Sequence, residues 1–116
     1  MSDVTVYHNP SCSKSRGALE ILGERAVDAE VIRYLEAPLA REDFDRILDI
    51  LVDPPADLVR KDKRFAELGL DAADYQTREQ VVELLLEHPV LMQRPIVIRD
   101  GKALIARPSE RVLELL

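Results

Sequence analysis

Cys12 is the only cysteine in the chain, within the stretch Val4-Thr5-Val6-Tyr7-His8-Asn9-Pro10-Ser11-Cys12-Ser13-Lys14-Ser15-Arg16. Asn9-Pro10 ends the alternation before it, because proline lacks the amide hydrogen that a strand ladder needs. From Ser13 onward Ala18, Leu19 and Leu22 recur at helical spacing, and Gly23 marks the expected stop. Cys12 therefore falls at a helix N-terminus, where unpaired amides and the positive end of the dipole favour a thiolate over a thiol. Such a thiolate is a nucleophile for a soft electrophilic centre. The plain alternative is a small buried residue, as free cysteines often are. Lys14 and Arg16 tip the balance toward chemistry. Cations in a first turn oppose the dipole by about 0.3–1 kcal/mol each, a cost offset if an anion binds there to the backbone amides and the arginine fork.

Dithiol redox proteins place a second cysteine three residues after the first, and here that position is Ser15. Its hydroxyl can donate to the thiolate or to a bound substrate but cannot close a disulfide. Any redox cycle must borrow its second sulfur from outside. His8, four residues before Cys12, reads by itself as a strand-end histidine hydrogen-bonded to the turn, and His88 as a cap or dipole contact at a helix end. Arg94-Pro95 and Arg107-Pro108 stand at the entrance and exit of a hairpin, whose antiparallel pairing brings the two arginines to one edge. Two guanidinium groups there form a clamp for a tetrahedral oxyanion, each binding two oxygens. The same reasoning leaves Arg99 and Arg111 on solvent. No Cys, His and carboxylate cluster has metal-ligand spacing, so no metal is expected.

The elements that must hold these residues read as a small α/β domain with a mixed sheet. A strand at Val4–Tyr7, a helix near Lys14–Leu22 and a strand at Ala29–Tyr34 make a parallel βαβ unit. Phe44, Ile47, Leu48 and Leu51 give a helix near Arg41–Leu51 that Asp53-Pro54-Pro55 stops. Residues 56 to about 89 read as helical throughout, with Thr77 and Gln80 as a capping box. The whole of about 41–89 is thus a helical insertion beside the sheet. Ile96–Ile98 and Ala103–Ile105 flank Asp100-Gly101, a strong hairpin signal, and Ser109 is expected to cap a last helix.

A chain of 116 residues, 47% apolar, suits one domain with one aliphatic core. A net charge of −6 argues against non-specific nucleic-acid binding. An anion site on such a chain must be a local pocket of converging arginines. One cysteine excludes an internal disulfide. No leader-like segment and no apolar run of membrane-spanning length is seen, so a cytoplasmic protein is expected, in a compartment that keeps thiols reduced. A monomer is the expected state.

His8-Asn9-Pro10-Ser11-Cys12 with Ser15-Arg16 resembles the active-site loop of the glutaredoxin-coupled arsenate reductases, which have a thioredoxin-like fold. Leu58-Val59-Arg60-Lys61, Glu67-Leu68-Gly69-Leu70, His88-Pro89-Val90-Leu91, Arg94-Pro95-Ile96-Val97 and Arg107-Pro108-Ser109 look like that family's successive landmarks, so the resemblance covers essentially the whole chain. It implies a βαβ, helical insertion, ββα order within residues 1–116. It implies Cys12 as nucleophile, with His8 supporting a lowered thiol pKa and Ser15 assisting. Asn9, Arg16 and Pro95 act as supporting residues, and Arg60 joins Arg94 and Arg107 in holding arsenate. Pro95 resembles the cis-proline of thioredoxin-like folds, although sequence leaves the isomer open. The resemblance further implies glutathione as co-substrate, glutaredoxin as partner and no bound cofactor. The alternatives within reach of the sequence are a paralogous thiol reductase or deglutathionylating protein, and a single-cysteine transcription regulator that binds RNA polymerase. Three guanidiniums around one point speak against the former, and the lack of a second cysteine against the latter.

Overall fold

Val4, Thr5, Val6 and Tyr7 form β1 (Val4–Tyr7), from which the sheet is built outward on both sides. β2 (Ala29–Ile32) lies parallel to it, with Val31 beside Val6. On the other side β3 (Ile96–Arg99) runs antiparallel, Val97 opposite Val6, and β4 (Lys102–Ile105) follows with Leu104 opposite Val97. The strand order is β2-β1-β3-β4, the expected mixed sheet of the thioredoxin-like class. The computed structural model describes residues 3–116, so the part of the leader-segment expectation that rests on Met1 and Ser2 lies outside it.

Strand periodicity divides the apolar residues between two layers. Val4, Val6, Val97 and Leu104 face α1 (Ser13–Glu24), meeting Ala18, Leu22 and Val112. Tyr7, Ile96, Ala103 and Ile105 face the larger layer, which includes Phe44 and Ile47 of α2 (Arg41–Ile50) and Val81, Val82 and Leu85 of α4 (Arg78–Glu87). The central strands β1 and β3 are covered on both faces, while edge strand β2 is partly exposed. The edge where β1, β2 and β4 end and β3 begins is the one on which a site can open.

Several boundaries differ from the sequence reading, each for a local reason. β2 stops at Ile32 instead of Tyr34, because the Arg33 carbonyl accepts from the amides of Glu36 and Ala37 and turns the chain. Gly23 does not end α1; the left-handed residue is Ala26 (φ 55°), and the Val27 amide closes the helix on Leu22 O. The segment from 56 to 89 is not helical throughout. Single 3-10 turns at Pro55–Leu58, Ala72–Asp74 and Pro89–Leu91 alternate with the short α3 (Lys63–Glu67) and α4. Prolines start two of those turns. Gly69 (φ 69°) follows α3, and the Asp62 and Asp71 side chains each restart the chain by accepting from an amide two or three residues on. The Thr77–Gln80 capping box forms as expected, with Gln80 N donating to Thr77 Oγ1 at 3.2 Å and Thr77 N to Gln80 Oε1 at 3.1 Å. Asp100 (φ 49°) and Gly101 (φ 74°) make the expected hairpin turn.

Ser109 is not a helix cap. The last segment, Ser109–Leu115, is a 3-10 helix whose N-cap is Pro108, and Ser109 Oγ donates instead to the Lys14 carbonyl at 2.8 Å. The C-terminal segment is thereby pinned to the first turn of α1. Gly17 permits that contact, since a Cβ there would lie 2.7 Å from Ser109 Oγ and 3.2 Å from its Cβ. Gly17→Ala should therefore lower stability despite the roughly 1 kcal/mol that alanine gains over glycine inside a helix. In a Ser109→Gly background, where the obstructing atoms are gone, the same change should raise stability. Urea denaturation of the four proteins in this cycle checks the sign reversal.

Candidate active site

The loop after β1 is held by its own polar atoms. The His8 amide continues the parallel ladder by donating to Ile32 O at 2.8 Å. The Asn9 side chain accepts from the Ser11 amide at 3.0 Å, and the Asn9 carbonyl accepts from the Cys12 amide at 3.0 Å. This tight turn delivers Cys12 to the N-cap of α1, as its position after Asn9-Pro10 predicts. Cys12 is buried, yet its thiol is acidic. Burial pushes the thiol up, but the Ser15 amide, the Arg94 guanidinium and the Lys14 amide pull it down to about 7, below the roughly 8.5 of a free thiol.

Ser15 is fully buried, and its two functions separate. Its amide serves the sulfur, whereas its hydroxyl accepts from the Asn9 amide at 3.0 Å and lies 2.7 Å from His8 Nδ1. The hydroxyl is thus committed beneath the loop and is not offered to the thiolate. His8 is buried too, and burial, followed by the charges of Arg33 and Arg16, lowers its pKa and favours the neutral ring. It reaches Cys12 only through Ser15 and the turn, as a brace and not as an imidazolium. Arg16 likewise differs from the arginine fork expected in the first turn. Its Nη1 donates to Pro10 O at 3.1 Å on the exposed side, closing the loop from outside.

The hairpin supplies the cations. Ile96 pairs with Ile105, and the Ala106 amide donates to Pro95 O at 3.0 Å, so Arg94 and Arg107 meet at the end of the ladder as their positions predict. The Arg94-Pro95 and Arg107-Pro108 peptide bonds are both cis. Arg107 Nη1 donates to Arg94 O at 3.1 Å and lies 3.7 Å from Cys12 Sγ. Arg94 Nη1 donates to Val90 O at 3.1 Å, while its Nε is buried without a partner. Arg60 arrives from the helical insertion. A bridge pairs Val59 with Met92, and the Arg60 amide donates to Leu91 O at 2.6 Å. Its Nε pairs with Asp62 at 2.9 Å, leaving Nη1 buried and unpartnered.

Two arginines read as solvent-facing are otherwise. Arg111 is an organising residue: Nη1 reaches Asp53 at 3.1 Å and Ile105 O at 3.0 Å, and Nε reaches Glu114 at 3.2 Å. Arg99 donates to Leu115 O at 3.3 Å. The sequence reading missed Tyr34, a buried residue two positions past β2 whose hydroxyl end lies beside Arg94 and Asn9. The signal was available, because parallel β1 and β2 end on the same sheet edge. A solvent-open depression of about 390 Å³ borders this edge through Gln93 and Arg107, although Cys12 does not line it. Among the described residues no His, Cys, Asp and Glu cluster could hold a metal ion, and no helix is long and apolar enough to cross a membrane.

The sequence matches the ArsC family over residues 7–115. It is 38% identical to the arsenate reductase of Escherichia coli (strain K12) over 117 aligned residues, covering all of this chain and 82% of that one. It is 42% identical to the E. coli K12 protein YfgD, covering 97% and 95% of the two chains. Among solved structures, an arsenate reductase from Vibrio cholerae superposes with a TM-score of 0.86 at 36% identity, covering 99% of this chain and 98% of its own.

An acidic thiol gives a direct measurement. Alkylation of Cys12 by neutral iodoacetamide should rise with pH through a midpoint near 7, because only the thiolate reacts. Arg94→Ala removes one of the groups that favour the anion, so its midpoint should move up toward that of a free thiol.

Proposed function

Since this chain belongs to the ArsC family, we propose that it is an arsenate reductase using Cys12 as nucleophile and glutathione with glutaredoxin as external thiols. The observation that carries this reading is an acidic thiol flanked by two guanidiniums, with buried N–H donors on Arg60 and Arg94 that have no acceptor. Guanidinium groups donate and never accept, so they suit an acceptor-rich anion. Tetrahedral arsenate has that chemistry.

In this reading arsenate sits over the α1 N-terminus, held by Arg60, Arg94 and Arg107. The Cys12 thiolate bonds to arsenic(V), and one arsenate oxygen leaves as water. A glutathione thiolate then attacks the Cys12 sulfur. The new S–S bond forms as the S–As bond breaks, its electron pair passing to arsenic as arsenic(III). Glutaredoxin takes the glutathione from Cys12, returning the thiolate, and arsenite departs. The protein supplies charge, orientation and one sulfur; the electrons come from outside. Ser15, occupied by His8 and Asn9, offers no route to an internal disulfide.

Arsenate-dependent NADPH oxidation coupled through glutathione reductase, glutathione and glutaredoxin tests the proposal. Turnover should be present in the native protein and absent in Cys12→Ser with the fold intact; a folded variant with appreciable turnover would falsify the covalent route. Replacing glutathione and glutaredoxin by thioredoxin alone should leave little activity. Arg94→Ala and Arg107→Ala should each cut kcat/KM about ten- to a hundredfold, the loss of a charge-assisted hydrogen bond to an anion. Lysine should restore only part, having the charge but not the fork. Lys102, exposed at the far end of the hairpin, is the matched control and should be silent.

A further inference from the structure

Tyr34 is 1% exposed, and its hydroxyl has no hydrogen-bond partner among the described residues. Buried tyrosine hydroxyls nearly always find one. The ring is anchored: it belongs to the large apolar layer with Tyr7, Phe44 and Leu91. Its place in the chain fixes which way the residue serves. The His8 amide bonds to Ile32 O at 2.8 Å, so the chain leaving β2 at Arg33 and Tyr34 runs beside the loop that carries Cys12. The phenol oxygen lies near the Arg94 guanidinium and the Asn9 side chain, without a well-formed hydrogen bond to either. Burial raises its pKa, so the phenol remains a neutral donor.

Tyr34 is not alone in lacking a partner. Arg94 Nε and Arg60 Nη1, on two other segments, are also buried donors without acceptors. A hydroxyl kept for structure would be spent on a carbonyl, as Ser109 Oγ is on Lys14 O. Instead the exit of β2 and the hairpin entrance each bring an unspent donor beside the Cys12 loop, and the insertion holds a third on Arg60, whose amide bonds to Leu91 O. We propose that Tyr34 is a substrate-binding residue whose hydroxyl donates to an oxygen of the tetrahedral oxyanion bound at Cys12. A phenol adds what guanidinium cannot: it accepts as well as donates, so it can also face a protonated oxygen of that anion. The inference rests on the oxyanion-site reading above and extends it to a neutral donor on a fourth element.

The test is Tyr34→Phe, which removes one oxygen and keeps the ring. Arsenate alone, titrated as a protectant of Cys12 against iodoacetamide, reads oxyanion affinity without any external thiol. The native protein should be protected, and Tyr34→Phe should need about three- to tenfold more arsenate, the effect of one neutral hydrogen bond. Its melting temperature should not fall, because no protein partner is lost, and the alkylation midpoint of the free protein should stay near 7. Equal protection of the two proteins would overturn the role of Tyr34 while leaving the oxyanion site standing. A lower melting temperature with unchanged protection would make the hydroxyl structural and also overturn it. Absence of protection in the native protein would overturn the oxyanion site, and this inference with it.

Discussion

Arg107 Nη1 reaches both the Arg94 carbonyl and the Cys12 sulfur, and this pair of contacts ties the C-terminal hairpin to the N-terminal loop. The cations of the site serve the same electrostatic need: a buried sulfur must be able to ionise on a chain of net charge −6. Burial alone would protonate it. The surrounding acidic charge would repel a second anion. The structure answers by leaving particular cations unneutralised. Arg46, Arg78 and Arg111 are paired with aspartates, whereas Arg94 and Arg107 donate to carbonyl oxygens, which orient a guanidinium without cancelling its charge. Arg60 is the intermediate case, one nitrogen on Asp62 and another unspent.

That arrangement is possible because three remote parts of the sequence end at one sheet edge. β1 and β2 are parallel and end together, which brings Tyr34 to the Cys12 loop. β3 begins and β4 ends at that edge, which brings Arg94 and Arg107. The insertion joins through the Val59–Met92 bridge and the paired bonds Arg60 N to Leu91 O and Gln93 N to Leu58 O. These backbone bonds place Arg60 beside the residues leading into Arg94. The apolar layers on both faces make the strands stiff enough for side chains at their ends to stay in register.

Legibility in the sequence follows the range of the interaction. The Cys12 turn, the Thr77–Gln80 cap and the Asp100-Gly101 hairpin are encoded within a few residues, and they form as those residues indicate. The meeting of Arg94 and Arg107 needs only the hairpin register, so it too was readable. Arg60 entered through family resemblance, because nothing local connects residue 59 to residue 92. Tyr34 required combining a parallel pairing with the question of what lies past the strand end. The misread side chains at Arg111 and Ser109 have one origin: their partners are chosen by tertiary neighbours. Arg111 looks free until Asp53 arrives from beyond the end of α2, and Ser109 looks like a cap until its hydroxyl donates to Lys14 O; Arg16 looks like an anion fork until the nearby Pro10 O occupies it.

The division of labour at position 15 explains why a single sulfur is consistent with this loop. A resolving thiol must be free to approach the first sulfur, but the Ser15 side chain points into the fold and holds the Asn9 amide. Asn9 in turn shapes the turn through the Ser11 and Cys12 amides. His8, neutral and buried, completes that clasp from the strand side. Exchanging the hydroxyl for a thiol would trade a good acceptor for a weak one and loosen the turn that keeps Cys12 at the helix terminus. It would gain a sulfur facing the wrong way. The loop is therefore built to present one sulfur, that of Cys12, at the helix terminus.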